Sequence, residues 1–335
     1  MLIQMKNQHK KLKMIILVIV SVVLVLLIAG DIFMGNALVS FAIQRTPETG
    51  QTDVAPEAVT SDETERVIEA NKLSAAKTTS AWLTETKMEP LSVKSEDGLQ
   101  LKGVVIPAGE ESHRWAIVIH GYTLKKEAMY DYAYYYAQKG YHLLLPDLRA
   151  HGESEGEYFG MGWLDRKDIP KWINLIISRD PEAEIILHGV SMGAAAAMMT
   201  AGEKLPENVK AIVEDCGYTS VWDIFADELW HLHGLPPVPV LNTMGLFSRI
   251  RAGYDISDAS SLEQIKKATV PILFIHGSKD NFVATDMAYQ LYDACPTQKE
   301  LSIVENAGHA ESFYLNPEAY FEKVFTFLDD TVVSE

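Results

Sequence analysis

Cysteine is almost absent from this sequence, with two residues, Cys216 and Cys295, in 335. That is too few for a disulfide scaffold, and their separation fits no zinc-type spacing, although a single bridge between them stays open. Cys216 closes an apolar run and reads as a small core position. Basic residues are also scarce. Four lysines (Lys6, Lys10, Lys11, Lys13) precede Asp31, and the remaining 25 basic residues face 46 acidic ones, a balance of −21. So acidic a body repels phosphate backbones and anionic headgroups. Nucleic acid is therefore not an expected partner, and membrane contact falls to the N-terminus. No acidic residue occurs before Asp31, no internal repeat is visible, and no cysteine directly follows the first apolar run, which rules out a lipoprotein signal.

That first run is uncharged: Met14 to Gly30, 17 residues, with Ile32 to Ile43 extending it past Asp31. It is at the short end for a bilayer span. Lysines before it and acidic residues after it predict a cytoplasmic N-terminus and an exported body. The rival reading is a cleaved secretory signal with a small-x-small site at Gly35-Asn36-Ala37. The run is longer than a typical signal core, which favours a retained anchor. Thr46–Thr64, rich in Thr, Pro, Glu and Asp, reads as a solvated tether. Asp62 and Glu65 then form a capping box for a helix through Val67, Leu73 and Trp82, expected to lie on the folded domain. The expected organisation is a basic segment (1–13), a transmembrane anchor (14–43, core 14–30), a tether and linker helix (44–87) and one folded domain (88–335). The expected location is the cell membrane, single-pass, with the folded domain on the extracytoplasmic side.

From Met88 the pattern changes. Leu91–Lys94 and Leu99–Ile106 flank Asp97-Gly98, a hairpin signal. Six near-continuous apolar runs of strand length follow: Trp115–His120, Tyr141–Pro146, Glu184–Gly189, Val209–Asp215, Pro271–His276 and Leu301–Glu305. Helix-length segments separate most of them: Lys126–Gly140, Trp163–Arg179, Met192–Lys204 and Asp286–Ala294. Pro317–Leu328 follows the last. Such alternation predicts an α/β fold, a mostly parallel sheet with helices on both faces. Tyr218 to Lys267 interrupts it. This apolar, aromatic and proline-rich segment reads as a lid with a substrate-facing role.

Gly189-Val190-Ser191-Met192-Gly193 fits G-x-S-x-G between a strand and a small-residue helix, the setting of a nucleophile elbow. A serine hydroxyl needs a base, and His309 follows the last predicted strand, where loops gather at the sheet's carboxyl edge. The acid that orients the imidazole is expected at Asp280, after Gly277-Ser278-Lys279, with Asp215 as the alternative. The oxyanion needs backbone donors. One is expected from Met192 and the other from the His120-Gly121-Tyr122-Thr123 loop at Tyr122. His231 and His233 lack a third partner and read as a surface pair, so no metal site and no cofactor are expected.

Ile119-His120-Gly121, Asp147-Leu148-Arg149-Ala150-His151-Gly152-Glu153-Ser154, the Ser191 pentapeptide, Gly277-Ser278-Lys279-Asp280 and Gly308-His309 together resemble the successive landmarks of the α/β-hydrolases. The resemblance is closest to their serine aminopeptidase-like branch of membrane-anchored bacterial hydrolases, and it covers about Met88 to Leu328. It implies an α/β-hydrolase fold with a short helical lid, about 218–267. It also implies a Ser191–Asp280–His309 triad, with Tyr122 and Met192 as oxyanion donors. Asp147 and His151 would serve structure, and Ala150 stands where that branch usually has glycine. The expected activity is a serine hydrolase acting on a small acyl ester, with a peptidase or acyltransferase as alternatives. Asp223, Asp227 and Glu228 are the peptidase's candidate amine ligands.

Overall fold

The computed structural model describes residues 2–46 and 62–332, so residues 47–61 of the expected tether lie outside the described residues. Eight strands form one sheet in the order β1-β2-β4-β3-β5-β6-β7-β8. Strands β1 (Glu89–Lys94) and β2 (Gln100–Ile106) make the antiparallel hairpin around Asp97-Gly98, where Gly98 takes a left-handed φ of 95°. Strand β2 runs antiparallel to β4 (His142–Pro146). From β4 through β3 (Arg114–Ile119), β5 (Glu184–Val190), β6 (Val209–Asp215), β7 (Ile272–Gly277) and β8 (Lys299–Val304) every pairing is parallel.

The apolar runs are continuous because both faces are covered. In β3, Trp115, Ile117 and Ile119 face one core, and Ala116 and Val118 face the other, the two-residue period of a strand. The first core holds Trp172 and Ile173 of α4 (Asp165–Arg179) and the small residues of α5 (Met192–Ala201). The second holds Tyr132 and Tyr136 of α3 (Tyr130–Gln138) and Phe321 and Phe327 of α11 (Pro317–Val332). Helices α9 (Thr285–Ala294) and α10 (Ser312–Leu315) complete the frame. Cys216 and Cys295 are both free and buried.

The N-terminal apolar run forms one helix, α1 (Leu2–Ala42). Its side chains are exposed from Leu12 to Ile28, whereas Val39 and the following Ile43 are fully buried. Beyond α1 the chain joins the domain: Phe159 N–H donates to Ile43 O at 2.7 Å, and Arg45 donates to the carbonyls of Ser154 (2.7 Å) and Gly152 (2.6 Å). Helix α2 (Asp62–Glu85) lies on the domain as expected, with Asn71 donating to Tyr314 O and Trp82 edge-on to Tyr134.

The interruption folds as α6 (Val221–His233), α7 (Val240–Arg251) and α8 (Ser261–Ile265). Helix α7 packs on α1. Gly35 is so close that a Cβ there would sit 2.7 Å from Thr243 Cγ2, and Arg251 donates to Asn36, Ser40 and Gln44.

Candidate active site

Strand β5 ends at Val190, and the chain turns at Ser191 into α5. The turn is tight enough to hold Ser191 at φ 57° and ψ −119°, a costly conformation for a residue with a Cβ. It closes only because Gly189 and Gly193 lack side chains: a Cβ at Gly189 would lie 2.2 Å from Gly193 O, and one at Gly193 2.2 Å from Ile119 O.

His309 and Asp280 come from the loops after β8 and β7 and meet at this turn. His309 Nε2 is 2.8 Å from Ser191 Oγ, and His309 Nδ1 is 2.8 Å from Asp280 Oδ2. The other Asp280 oxygen accepts the amides of Phe282 (3.0 Å) and Val283 (2.8 Å). His276 Nε2, 3.2 Å from Asp280 Oδ2, is a further neighbour that sequence reasoning missed. Burial alone would raise the Asp280 pKa, but the His309 and His276 rings hold it well below the usual carboxylate range. Phe282 sits edge-on to the His309 ring.

Asp215 makes no hydrogen bond to His309. It is wholly buried and accepts the Tyr320 hydroxyl at 3.0 Å, and burial raises its pKa to about 6. Tyr320 in turn contacts His188 Nε2, so Asp215 belongs to a polar cluster inside the second core.

Met192 N–H lies in the first turn of α5, where amides have no intrahelical acceptor. Gly121 packs so closely that a Cβ there would touch Ser191 Cβ at 3.4 Å, and Tyr122 lines the same cavity as Ser191. The Tyr122 hydroxyl is committed elsewhere: it donates to Ala42 O at the end of α1 at 2.6 Å, and burial pushes its pKa up to about 12. His120, with its pKa lowered by burial, spans Gly121 O (2.8 Å) and the Leu148 amide (3.0 Å), pinning this loop. Asp147 and His151 do structural work. Asp147 accepts from the Lys126 amide and ammonium and the Glu153 amide, and His151 stacks on Phe159. Ala150 adopts φ 62°, so the loop keeps a glycine-like turn despite its methyl group.

Ser191 and His309 open into a cavity of about 890 Å³. Its walls correct one expectation, because no residue of the 218–267 insertion lines it. One wall is instead a stripe of α2: Lys72, Ala76, Thr79, Ser80, Leu83 and Thr84. Their three- and four-residue spacing places them on one helical face. Leu124, Met129, Tyr130, Phe282 and Tyr314 line the cavity as well. Of the insertion's carboxylates, Asp223 accepts from the Thr219 hydroxyl while its amide donates to Ser220 Oγ, the cap of α6, and burial raises the pKa values of Asp227 and Glu228. Cys216, Asp280 and His309 offer ligand atoms within 4.8 Å of one another, but a metal there would break the Ser191–His309–Asp280 hydrogen bonds. Burial also pushes the Cys216 thiol well up, which disfavours the thiolate a metal needs.

Residues 110–225 match the family described as serine aminopeptidase S33, and residues 185–310 match the FSH1 serine hydrolases. The chain is 29% identical to the Bacillus subtilis protein YqkD over 71% of its own length and 78% of YqkD. Against YfhR of Escherichia coli K12 it is 23% identical, over 72% of this chain and 80% of that one. Among solved structures it resembles the Pyrococcus furiosus esterase Pf2001 with a TM-score of 0.60 and 23% identity, covering 74% of this chain and 91% of the esterase. It also resembles the Pyrococcus horikoshii acylaminoacyl peptidase, with a TM-score of 0.53 and 19% identity over 72% of this chain and 41% of the peptidase. These structural likenesses establish the fold.

Proposed function

We propose that this chain, which has the α/β-hydrolase fold and matches serine hydrolase families over residues 110–225 and 185–310, cleaves acyl esters through an acyl-enzyme on Ser191. The observation that carries the reading is the unbroken chain of hydrogen bonds from Ser191 through His309 to Asp280, opening into a large cavity. In the proposed reaction Ser191 Oγ attacks the ester carbonyl carbon while its proton passes to His309 Nε2. The tetrahedral oxyanion is held by the Tyr122 and Met192 amides. Its collapse breaks the bond to the alcohol, which leaves with the proton from His309. Water then attacks the acyl-enzyme, giving its proton to His309, and the carboxylic acid departs as Ser191 recovers its proton. Asp280, ionised by the rings around it, fixes the imidazole tautomer and stabilises the imidazolium. The triad needs no cofactor for this chemistry.

The cavity supports an acyl substrate of moderate length. Ala76, Leu83, Leu124, Met129 and Phe282 offer apolar walls, and each methylene they bury contributes about 0.8 kcal/mol. A second reading, an aminopeptidase, draws on Glu127, Asp131 and Glu311, carboxylates that line the same cavity and suit a free amine better than those on the insertion. The test sets p-nitrophenyl esters of two to eight carbons against aminoacyl p-nitroanilides. The esterase reading predicts kcat/KM rising by up to about 200-fold from two carbons to six, and weak amide cleavage. Flat ester rates with robust amide cleavage, lost when the amine is blocked, would replace it with the peptidase.

A further inference from the structure

A chain with one described helix long and apolar enough to cross a membrane also carries exposed apolar side chains outside that helix. Trp230 is 60% exposed, Leu232 63% and Val238 59%, with Leu235 beside them. All four sit at one place in the fold, the tip where α6 ends at Gly234 and the chain turns through Pro236, Pro237 and Pro239 into α7. A solvent-exposed cluster of this kind on a soluble surface is costly and marks an interaction site.

The packing of α7 on α1 fixes the height of that tip. Thr243 meets Asp31 and Gly35, and eight residues later Arg251 meets Asn36, Ser40 and Gln44, so the two helices run parallel. At about 1.5 Å per residue, Val240 lies about 4.5 Å below Thr243, level with the stretch from about Ile28 to Ile32. The turn before it is therefore level with the last turns of the uncharged run that ends at Gly30. Taking α1 as the membrane span expected from its sequence, that height is the boundary between hydrocarbon and headgroups, where tryptophan and leucine are favoured.

We propose that the insertion tip, Trp230 to Val238, is a docking surface for the lipid bilayer, seated beside the emerging α1. The lipid that must cover α1 from Leu12 to Ile28 is continuous with the lipid that would cover the tip, so one occupant accounts for both exposed surfaces. The contact is apolar, as the strongly negative body requires. It gives the insertion, which lines no part of the cavity, a role outside it.

The test uses the full chain in phosphatidylcholine vesicles, with an environment-sensitive fluorophore on Leu232→Cys, Val238→Cys, Val22→Cys or Lys204→Cys in separate preparations. The two native thiols are buried and do not compete. Doxyl-labelled lipid should quench the probe at Val22 strongly, at Leu232 and Val238 to at least half that degree, and at Lys204 not at all. Quenching at Val22 without quenching at either tip position would overturn the docking surface and leave the span intact. Quenching at none of the four would overturn both. A tip shielded from aqueous iodide yet blind to doxyl lipid would mean a second copy of the chain covers it, which also overturns the proposal.

Discussion

Asp280 follows β7 and Asp215 ends β6, parallel strands of the same sheet, and their partners separate their roles. Asp280 Oδ1 takes two backbone amides, so an asparagine there would turn its oxygen to them and its NH2 to His309. That forces the wrong imidazole tautomer, and Asp280→Asn should lower kcat by roughly 10⁴-fold. Asp215→Asn can still accept from Tyr320, and its kcat should stay within a few-fold of the parent. Steady-state kinetics on both variants decide this, and the reverse ranking would move the role to Asp215. Next to Asp215, wholly buried Glu214 has its pKa raised to about 8 by burial. Its folded form therefore keeps a proton that the unfolded chain loses near pH 4.5. The stabilising contribution is full below that pH and is lost as pH rises toward 8, with a slope of up to about 1.4 kcal/mol per unit. Urea unfolding of the parent and Glu214→Gln at pH 5.5 and 7.5 should show the parent losing stability relative to the variant at the higher pH. A pH-independent difference would contradict the assignment.

Among the elements, α2 carries the strongest prediction about specificity. Ala76→Trp would add bulk to the cavity that Ser191 lines while leaving the triad residues unchanged. If it excludes two methylenes, about 1.6 kcal/mol of acyl burial is lost, roughly a 15-fold drop in kcat/KM for six- and eight-carbon esters. The two-carbon ester should change little, and equal losses at every length would mean α2 does not face the acyl chain. Sequence patterns did not reveal this wall. Lys72, Ala76, Thr79 and Ser80 are small or polar, and small residues lining a cavity look like the outer face of a surface helix. The insertion misled in the opposite sense: Trp230, Leu232 and Val238 have the composition of a pocket and face outward. Ser191, His309 and Asp280 were legible because each sits in a short motif directly after a strand, and a parallel sheet gathers those strand ends at one edge. The hairpin and the six parallel strands were legible for a related reason: runs buried on both faces, such as Trp115 to Ile119, have no polar alternation to obscure them.

At the scale of the whole molecule, the far end of the apolar run belongs to the folded body as much as to any membrane. Val39 and Ile43 carry no sign in sequence of what buries them, since a side chain facing protein and one facing lipid are equally apolar. Ile43 is fully buried, its carbonyl holds Phe159, and the adjoining Ala42 carbonyl holds Tyr122. Ile43→Ala in the full chain should therefore cost about 2–4 kcal/mol of stability, measured by chemical unfolding of the domain. A silent substitution would mean that this segment is detached from the folded protein. Everything from α1 to the sheet then converges on one hydroxyl. A fluorophosphonate reacts only with a serine whose proton is being withdrawn, and peptide mapping locates the adduct. The bond pattern at the β5–α5 turn predicts a single adduct on Ser191, lost in Ser191→Ala and greatly slowed in His309→Ala, whereas an adduct elsewhere, or undiminished labelling of Ser191→Ala, would contradict it.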